Sequence, residues 1–236
     1  MLRNKKPRDS GAVIHQEDPI ARLLQQPMLI IERNIQTESL LLGIVIRHKY
    51  KIRKSDGRIM GYIEERNAGF GAAISRQITT SQRQFVIDVF DTHGVLLLTV
   101  KRPMKLVNSK VTTMLPNKAP IGESVQKWHL YKKKYKLLVH GNQFASIESP
   151  YLEDSFTAKD PLGRTLAAVE TDSNWSQMIT EQNIYTIRWD PWAFQGTAYY
   201  PIGERLSLDE KAVMLANIIS IDYDHFTSSP DEDEDI

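Results

Sequence analysis

Residues 206–226 read LSLDEKAVMLANIISIDYDHF, and the reading of this stretch decides the fold. From Ala212 to Ile221 the segment is apolar on every side of a helix except at Asn217 and Ser220. Its start is well specified: Ser207 and Glu210 form an S-x-x-E capping box, in which the hydroxyl accepts from the Glu210 amide and the carboxylate accepts from the Ser207 amide. Asp209 and Glu210 also suit the positive end of the helix dipole. The apolar run is ten residues long, about 15 Å at a rise of about 1.5 Å per residue, whereas a bilayer core is about 30 Å thick. Asp222 and Asp224 end it, and a carboxylate in mid-membrane costs roughly 2.5–3.5 kcal/mol. A helix over about 207–226 that is apolar all round and half a membrane long predicts burial inside a domain. Ala212, Val213, Leu215, Ala216, Ile218, Ile219 and Ile221 are then its core-facing residues.

What surrounds that helix is legible upstream. After Pro27, MLIIER reads as a strand. Lys49–Ile63 is two short strands about Asp56-Gly57, a hairpin signal. Phe85–Val100 repeats the pattern about Asp91 and Gly94, Lys134–Ile147 about Gly141-Asn142, and Ser155–Val169 about Asp160 to Gly163. SKVTTML and IGESVQKWHL read as strands between the second and third hairpins, and IYTIRWD (Ile184–Asp190) as a late one. Short helices are predicted at Gly69–Thr80 and Ser173–Asn183. A mainly β chain buries an all-apolar helix by wrapping its sheet around it, which predicts a closed antiparallel β-barrel threaded by its own C-terminal helix.

Composition bounds the rest. The 236 residues suit one domain, predicted at 21–228, between a disordered basic arm (1–20) and an acidic disordered tail (229–236). There is no cysteine, which excludes disulfides, thiol nucleophiles and thiolate metal sites. The formal net charge is +1, but without the five acids Asp231–Asp235 it is +6, a mildly basic body suited to an anionic surface. The basic start (Arg3, Lys5, Lys6, Arg8) has the charge of a mitochondrial presequence, interrupted by Pro7 and Asp9. The six histidines show no metal-ligand spacing, Asn67–Ala73 lacks a phosphate-binding glycine pattern, and no G-x-S-x-G elbow supports a hydrolase.

Several segments, in order, resemble the phospholipid scramblase family, and within it the fungal, mitochondrially associated branch. LDEKAVMLANIISIDYDHF carries its K/R-A-V-x-L-A and I-D-Y/F signatures at Lys211, Ala212, Val213, Leu215, Ala216, Ile221, Asp222 and Tyr223. Tyr50–Glu65 resembles its Y-x-I…D-x-x-G…G-Y-I-x-E hairpin, Val86–Pro103 its V-x-D…G-x-x-L…R-P unit, and Ile121–Val139 the segment that follows. Leu23–Gly43 is similar to its opening strand and connection. The resemblance implies a Tubby-like barrel of about twelve strands around a hydrophobic helix. It also implies ATP-independent movement of phospholipids between leaflets, with no covalent catalysis. The location it implies is a membrane, mitochondrial first and plasma membrane second.

Two features of animal members are missing. Their calcium-loop-like segment aligns with Met178–Asp190, where only Glu181, Gln182, Asn183 and Asp190 offer ligand oxygens, so no calcium and no other cofactor is predicted. Their Pro-rich arm and palmitoylated cysteine run are also absent.

The candidate lipid-binding residues lie in two basic–aromatic stretches. In Trp128–Lys136 they are Tyr131, Lys132, Lys133, Lys134, Tyr135 and Lys136, and in Arg47–Lys54 they are Lys49, Lys51, Arg53 and Lys54. As strands, Lys132, Lys134 and Lys136 share one face and Tyr131, Lys133 and Tyr135 the other. If both stretches lie on one side of the barrel they form a platform for anionic phospholipid headgroups. The alternative reading is a pair of solvated strand faces. No nucleic-acid motif accompanies the lysines. The competing function is a non-catalytic adaptor that binds anionic headgroups and recruits partners. Asp222 and Asp224 are predicted to end the buried run at the barrel mouth.

Overall fold

Alternation of apolar and polar residues over short segments, punctuated by tight turns, closes the chain on itself. The computed structural model describes residues 13–34, 49–66, 84–103, 108–127, 129–150, 153, 155–171 and 184–225. Its strands are β1 (Met28–Asn34), β2 (Lys49–Lys54), β3 (Ile59–Glu65), β4 (Phe85–Asp91), β5 (Leu96–Arg102) and β6 (Lys110–Met114). They continue as β7 (Pro120–Gln126), β8 (Lys132–Val139), β9 (Asn142–Pro150), β10 (Phe156–Lys159), β11 (Thr165–Thr171) and β12 (Ile184–Arg188). Each pairs antiparallel with its neighbour in sequence, and β1 pairs with β12, Leu29 opposite Ile187, to shut a twelve-stranded barrel. The barrel is the one the residues predict.

All four predicted hairpins form. Gly57 (φ 84°) and Gly141 (φ 75°) hold the left-handed conformation their turns require. Asp56, Asp91 and Asp160 each accept amides of their own turn, those of Arg58, Val95 and Arg164 among them. A fifth hairpin joins β6 and β7 without glycine. It turns through Lys118 (φ 67°), with the Asn117 side chain accepting from the Ala119 amide, so its two strands are readable but their connection is not.

The meander gives the barrel two unlike ends. Five tight turns crowd one end, the hairpin end; the strand ends Asn34, Glu65, Arg102, Gln126, Pro150 and Thr171 lie at the other, the far end. The terminal helix α2 (Leu208–His225), preceded by a four-residue helix α1 (Ala21–Leu24), fills the lumen from the hairpin end to the far end. It lies against β7, where a Cβ on Gly122 would stand 2.6 Å from Val213 Cγ2 and collide with the Leu138 carbonyl oxygen, so glycine is what admits the helix.

The arm is corrected by the structure. Val13–Leu24 folds over the hairpin end, burying Ile14, Ile20, Leu23 and Leu24. The Val13 and Ile14 amides each donate to the Asp209 carboxylate at 2.9 Å. That partner is almost two hundred residues away in sequence, so no local periodicity announces it. Residues 1–12, the acidic tail, and the helices predicted at 69–80 and 173–183 lie outside the described residues.

Candidate functional site

On β8 the alternation holds. Lys132, Lys134 and Lys136 point outward, and Lys132 and Lys134 approach one carboxylate, Glu148 Oε1 on β9, at 2.6 and 3.4 Å. Hydrogen bonds from Lys132 and then Lys134 hold that carboxyl below its usual range. At the turn before β8, Leu130 and Tyr131 are 62% and 72% exposed, large apolar groups standing beside the lysines. Two candidates are corrected. Lys133 is 2% exposed, its Nζ donating to the Glu153 carbonyl at 2.8 Å, and Tyr135 is buried in the core. Both sit on the inward face that the period of two assigns them, so neither meets a lipid headgroup.

On β2, Tyr50 and Ile52 are buried while Lys51, Arg53 and Lys54 are half-buried on the outside. Arg53 Nε bonds Glu32 at 2.8 Å, and Lys54 Nζ stands 3.8 Å from Asp56. The side chain of Lys49 is outside what is described. Six pairings separate β2 from β8 around a ring of twelve strands, so the two stretches lie on opposite walls. The single platform conceived from sequence does not form, because the ring places them back to back.

The helix is enclosed throughout: Ala212, Val213, Leu215, Ala216, Ile218, Ile219 and Ile221 are each at most 2% exposed. Its hairpin end is capped as the sequence predicts, Glu210 N to Ser207 Oγ at 3.2 Å and Ser207 N to Glu210 Oε2 at 2.8 Å. Beside the cap, Asp209 Oδ2 also lies 3.2 Å from His140 Nε2. Lys211 is buried, donates to the Leu24 carbonyl at 3.0 Å, and holds its amine 5.3 Å from the Trp189 ring centroid. Burial pushes its pKa down to about 8, against the pull of Asp190.

At the far end Asp222 is fully buried rather than standing in an open mouth. Tyr50 donates to its carboxylate at 2.5 Å, Tyr185 donates to the other oxygen, and Arg33 NH1 lies 3.5 Å away. Three adjacent strands, β2, β12 and β1, thus grip one helix residue. In mid-helix Asn217 Nδ2 donates to Ser124 Oγ at 2.6 Å. The helix is therefore fastened at both ends and at its centre. Only the cap was visible in the sequence; the Asp222 grip needs ring closure to assemble.

No described helix is long and apolar enough to cross a membrane. Among the described residues no group of three or more His, Asp or Glu side chains could hold a metal ion. Of the segment aligned with the calcium loop, Ile184–Arg188 is β12 and Asp190 caps a 3₁₀ turn by accepting from Trp192 N at 3.5 Å; residues 178–183 are outside the described set.

An up-and-down barrel shut around its own terminal helix, with an outward lysine row beside an exposed apolar turn, is the class of protein this geometry defines. The family model described as Scramblase matches residues 8–228, and the chain belongs to that family. It is 32% identical over 255 residues to "Altered inheritance rate of mitochondria protein 25" of Saccharomyces cerevisiae, an alignment covering 94% of this chain and 77% of that one. It is 29% identical over 244 residues to a phospholipid scramblase family protein of Schizosaccharomyces pombe, covering 92% and 64%. A solved structure from Arabidopsis thaliana is similar over 83% of this chain and 96% of that one, at 9% identity and a TM-score of 0.43. The resemblance read from the motifs is thereby shown, and phospholipids are the partners it implies.

Proposed function

We propose that the chain docks on an anionic membrane surface through the β7–β8 edge and lets phospholipids pass between leaflets, without ATP and without covalent chemistry. One observation carries the docking: Leu130 and Tyr131 stand exposed at the turn that leads into the outward lysines 132, 134 and 136. A lysine near an anionic leaflet contributes about 1 kcal/mol, and burying a leucine about 1.5–3 kcal/mol. The pairs with Glu148 are exposed and therefore weak, so lipid phosphates compete for those amines. Membership of the scramblase family supports the lipid movement. The name of the yeast relative supports a mitochondrial membrane as the site of action, ahead of the plasma membrane. The few oxygen ligands that the sequence offers over residues 178–190 support independence from calcium.

A second reading has its own support. A helix fastened at both ends offers no polar track through hydrocarbon, which favours a lipid-binding adaptor that moves nothing. Lys132→Glu/Lys134→Glu/Lys136→Glu, leaving buried Lys133 alone, tests both in vesicles containing anionic lipid. We expect sedimentation with the vesicles to collapse, while lipid exchange persists at forced high protein density. Unchanged sedimentation would contradict docking through this edge, and lost binding in a protein that exchanges no lipid at any density would favour the adaptor.

A further inference from the structure

A cavity of about 400 Å³ opens at the hairpin end between α1 and the β2–β3 hairpin, within the size range of small-ligand sites. Three cations border it: Arg22 from α1, and Lys54 and Arg58 from the hairpin. Gln25, Gln26, Ile59 and Met60 complete its lining, the Gln26 carboxamide donating to the Arg22 carbonyl at 3.0 Å. A narrower chamber of about 150 Å³ shares Arg22, Ile59 and Met60 and runs on toward His93 and Leu97.

The acids nearby are committed to their own turns. Asp91 Oδ1 accepts the amides of His93 and Val95 at 2.8 Å each. Asp56 accepts from Arg58 Nε and NH2 at 2.9 and 2.7 Å and stands 3.8 Å from Lys54. The Arg58 side chain is 75% exposed, so its guanidinium, whose hydrogen bonds hold the Asp56 carboxyl well below the usual carboxylate range, also stands open to an anion arriving from solution. Phosphate suits that fork because two parallel N–H donors match two of its oxygens, and a second arginine and a lysine supply the remaining charge.

We propose that this cavity binds a phosphate ester carrying two or more negative charges. Its placement favours a ligand arriving from solution, since β2 is six pairings from β8 and the hairpin end is opposite the Leu130–Tyr131 turn. A membrane held at the β7–β8 edge lies at the far corner of the barrel. The site therefore stands apart from the membrane contact proposed above, and either can fail alone.

Calorimetric titration of the full chain with inorganic pyrophosphate and with a soluble inositol trisphosphate tests it. Saturable binding is expected, weakened about ten-fold by Arg22→Gln alone and about a hundred-fold or more by Arg22→Gln/Lys54→Gln/Arg58→Gln, as loss of charge-assisted bonds implies. These side chains are at least partly exposed, and an unchanged thermal midpoint confirms that each variant folds. No binding of either probe, or wild-type affinity in the folded Arg22→Gln variant, overturns the proposal. Vesicles bearing the same phosphorylated inositol headgroup form a second arm. Binding that the cavity variant loses, and that free trisphosphate displaces, would make the source a lipid. That outcome keeps the cavity's chemistry and overturns its soluble source and the β7–β8 docking together.

Discussion

Lys211 and Asp222 show what single charges cost and hold in this barrel. The Lys211 amine titrates near 8 in the folded chain against an ordinary 10.5. Between those values the unfolded chain binds a proton that the folded chain does not, so this group's contribution to stability rises with pH across that window. Below about pH 8 it carries the full cost of holding a buried cation, at most about 3 kcal/mol. Urea unfolding of wild type and Lys211→Met at pH 7.5 and 10 reads this directly: wild type should gain roughly 2 kcal/mol on the variant as pH rises. A constant difference would mean the amine titrates normally. Asp222 acts in the opposite sense, as the acceptor for Tyr50 and Tyr185 and the counter-charge of Arg33. Asp222→Ala leaves buried donors facing no carboxylate and should cost roughly 3–5 kcal/mol. Asp222→Asn, which keeps acceptor oxygen but not charge, should cost less. Equal midpoints for all three proteins would show that the carboxylate fastens nothing.

At the scale of elements, the relation between α2 and β7 decides how the lumen is filled. The helix approaches the wall closely because Gly122 has no side chain, and Val213 occupies the space one would take. Overpacking at such a contact costs typically 1–3 kcal/mol. Gly122→Ala should lie in that range by urea denaturation, and Val213→Ala should not restore it, because the Leu138 carbonyl is backbone and cannot be trimmed. Full rescue by Val213→Ala would place the conflict with the helix alone.

For the whole molecule, what was legible in the sequence was what local chemistry encodes. The Ser207–Glu210 cap, the Gly57 and Gly141 turns and the all-apolar run from Ala212 each act within a few residues, and together they require a sheet closed around a helix. What was not legible depends on closure. Ile14 finds its place through Asp209, Asp222 collects Arg33, Tyr50 and Tyr185 from three strands, and β2 ends up opposite β8 only because the ring has twelve members. The burial of Lys133 and Tyr135 is a different case: alternation along β8 already set them on the face opposite Lys132, Lys134 and Lys136, and closure of the barrel makes that face the inner one.

The same closure sharpens the functional question. If the chain acts on lipids as proposed, a barrel whose helix is fastened at both ends does so from its outer surface. The most direct test reconstitutes the purified chain into sealed vesicles with fluorescent phospholipid and follows the fraction quenched from outside, with and without calcium. Lipid movement predicts quenching well past the outer-leaflet half, at a rate calcium does not change. Quenching that stops at half, in vesicles shown to hold folded protein, would contradict it and leave a lipid-binding adaptor.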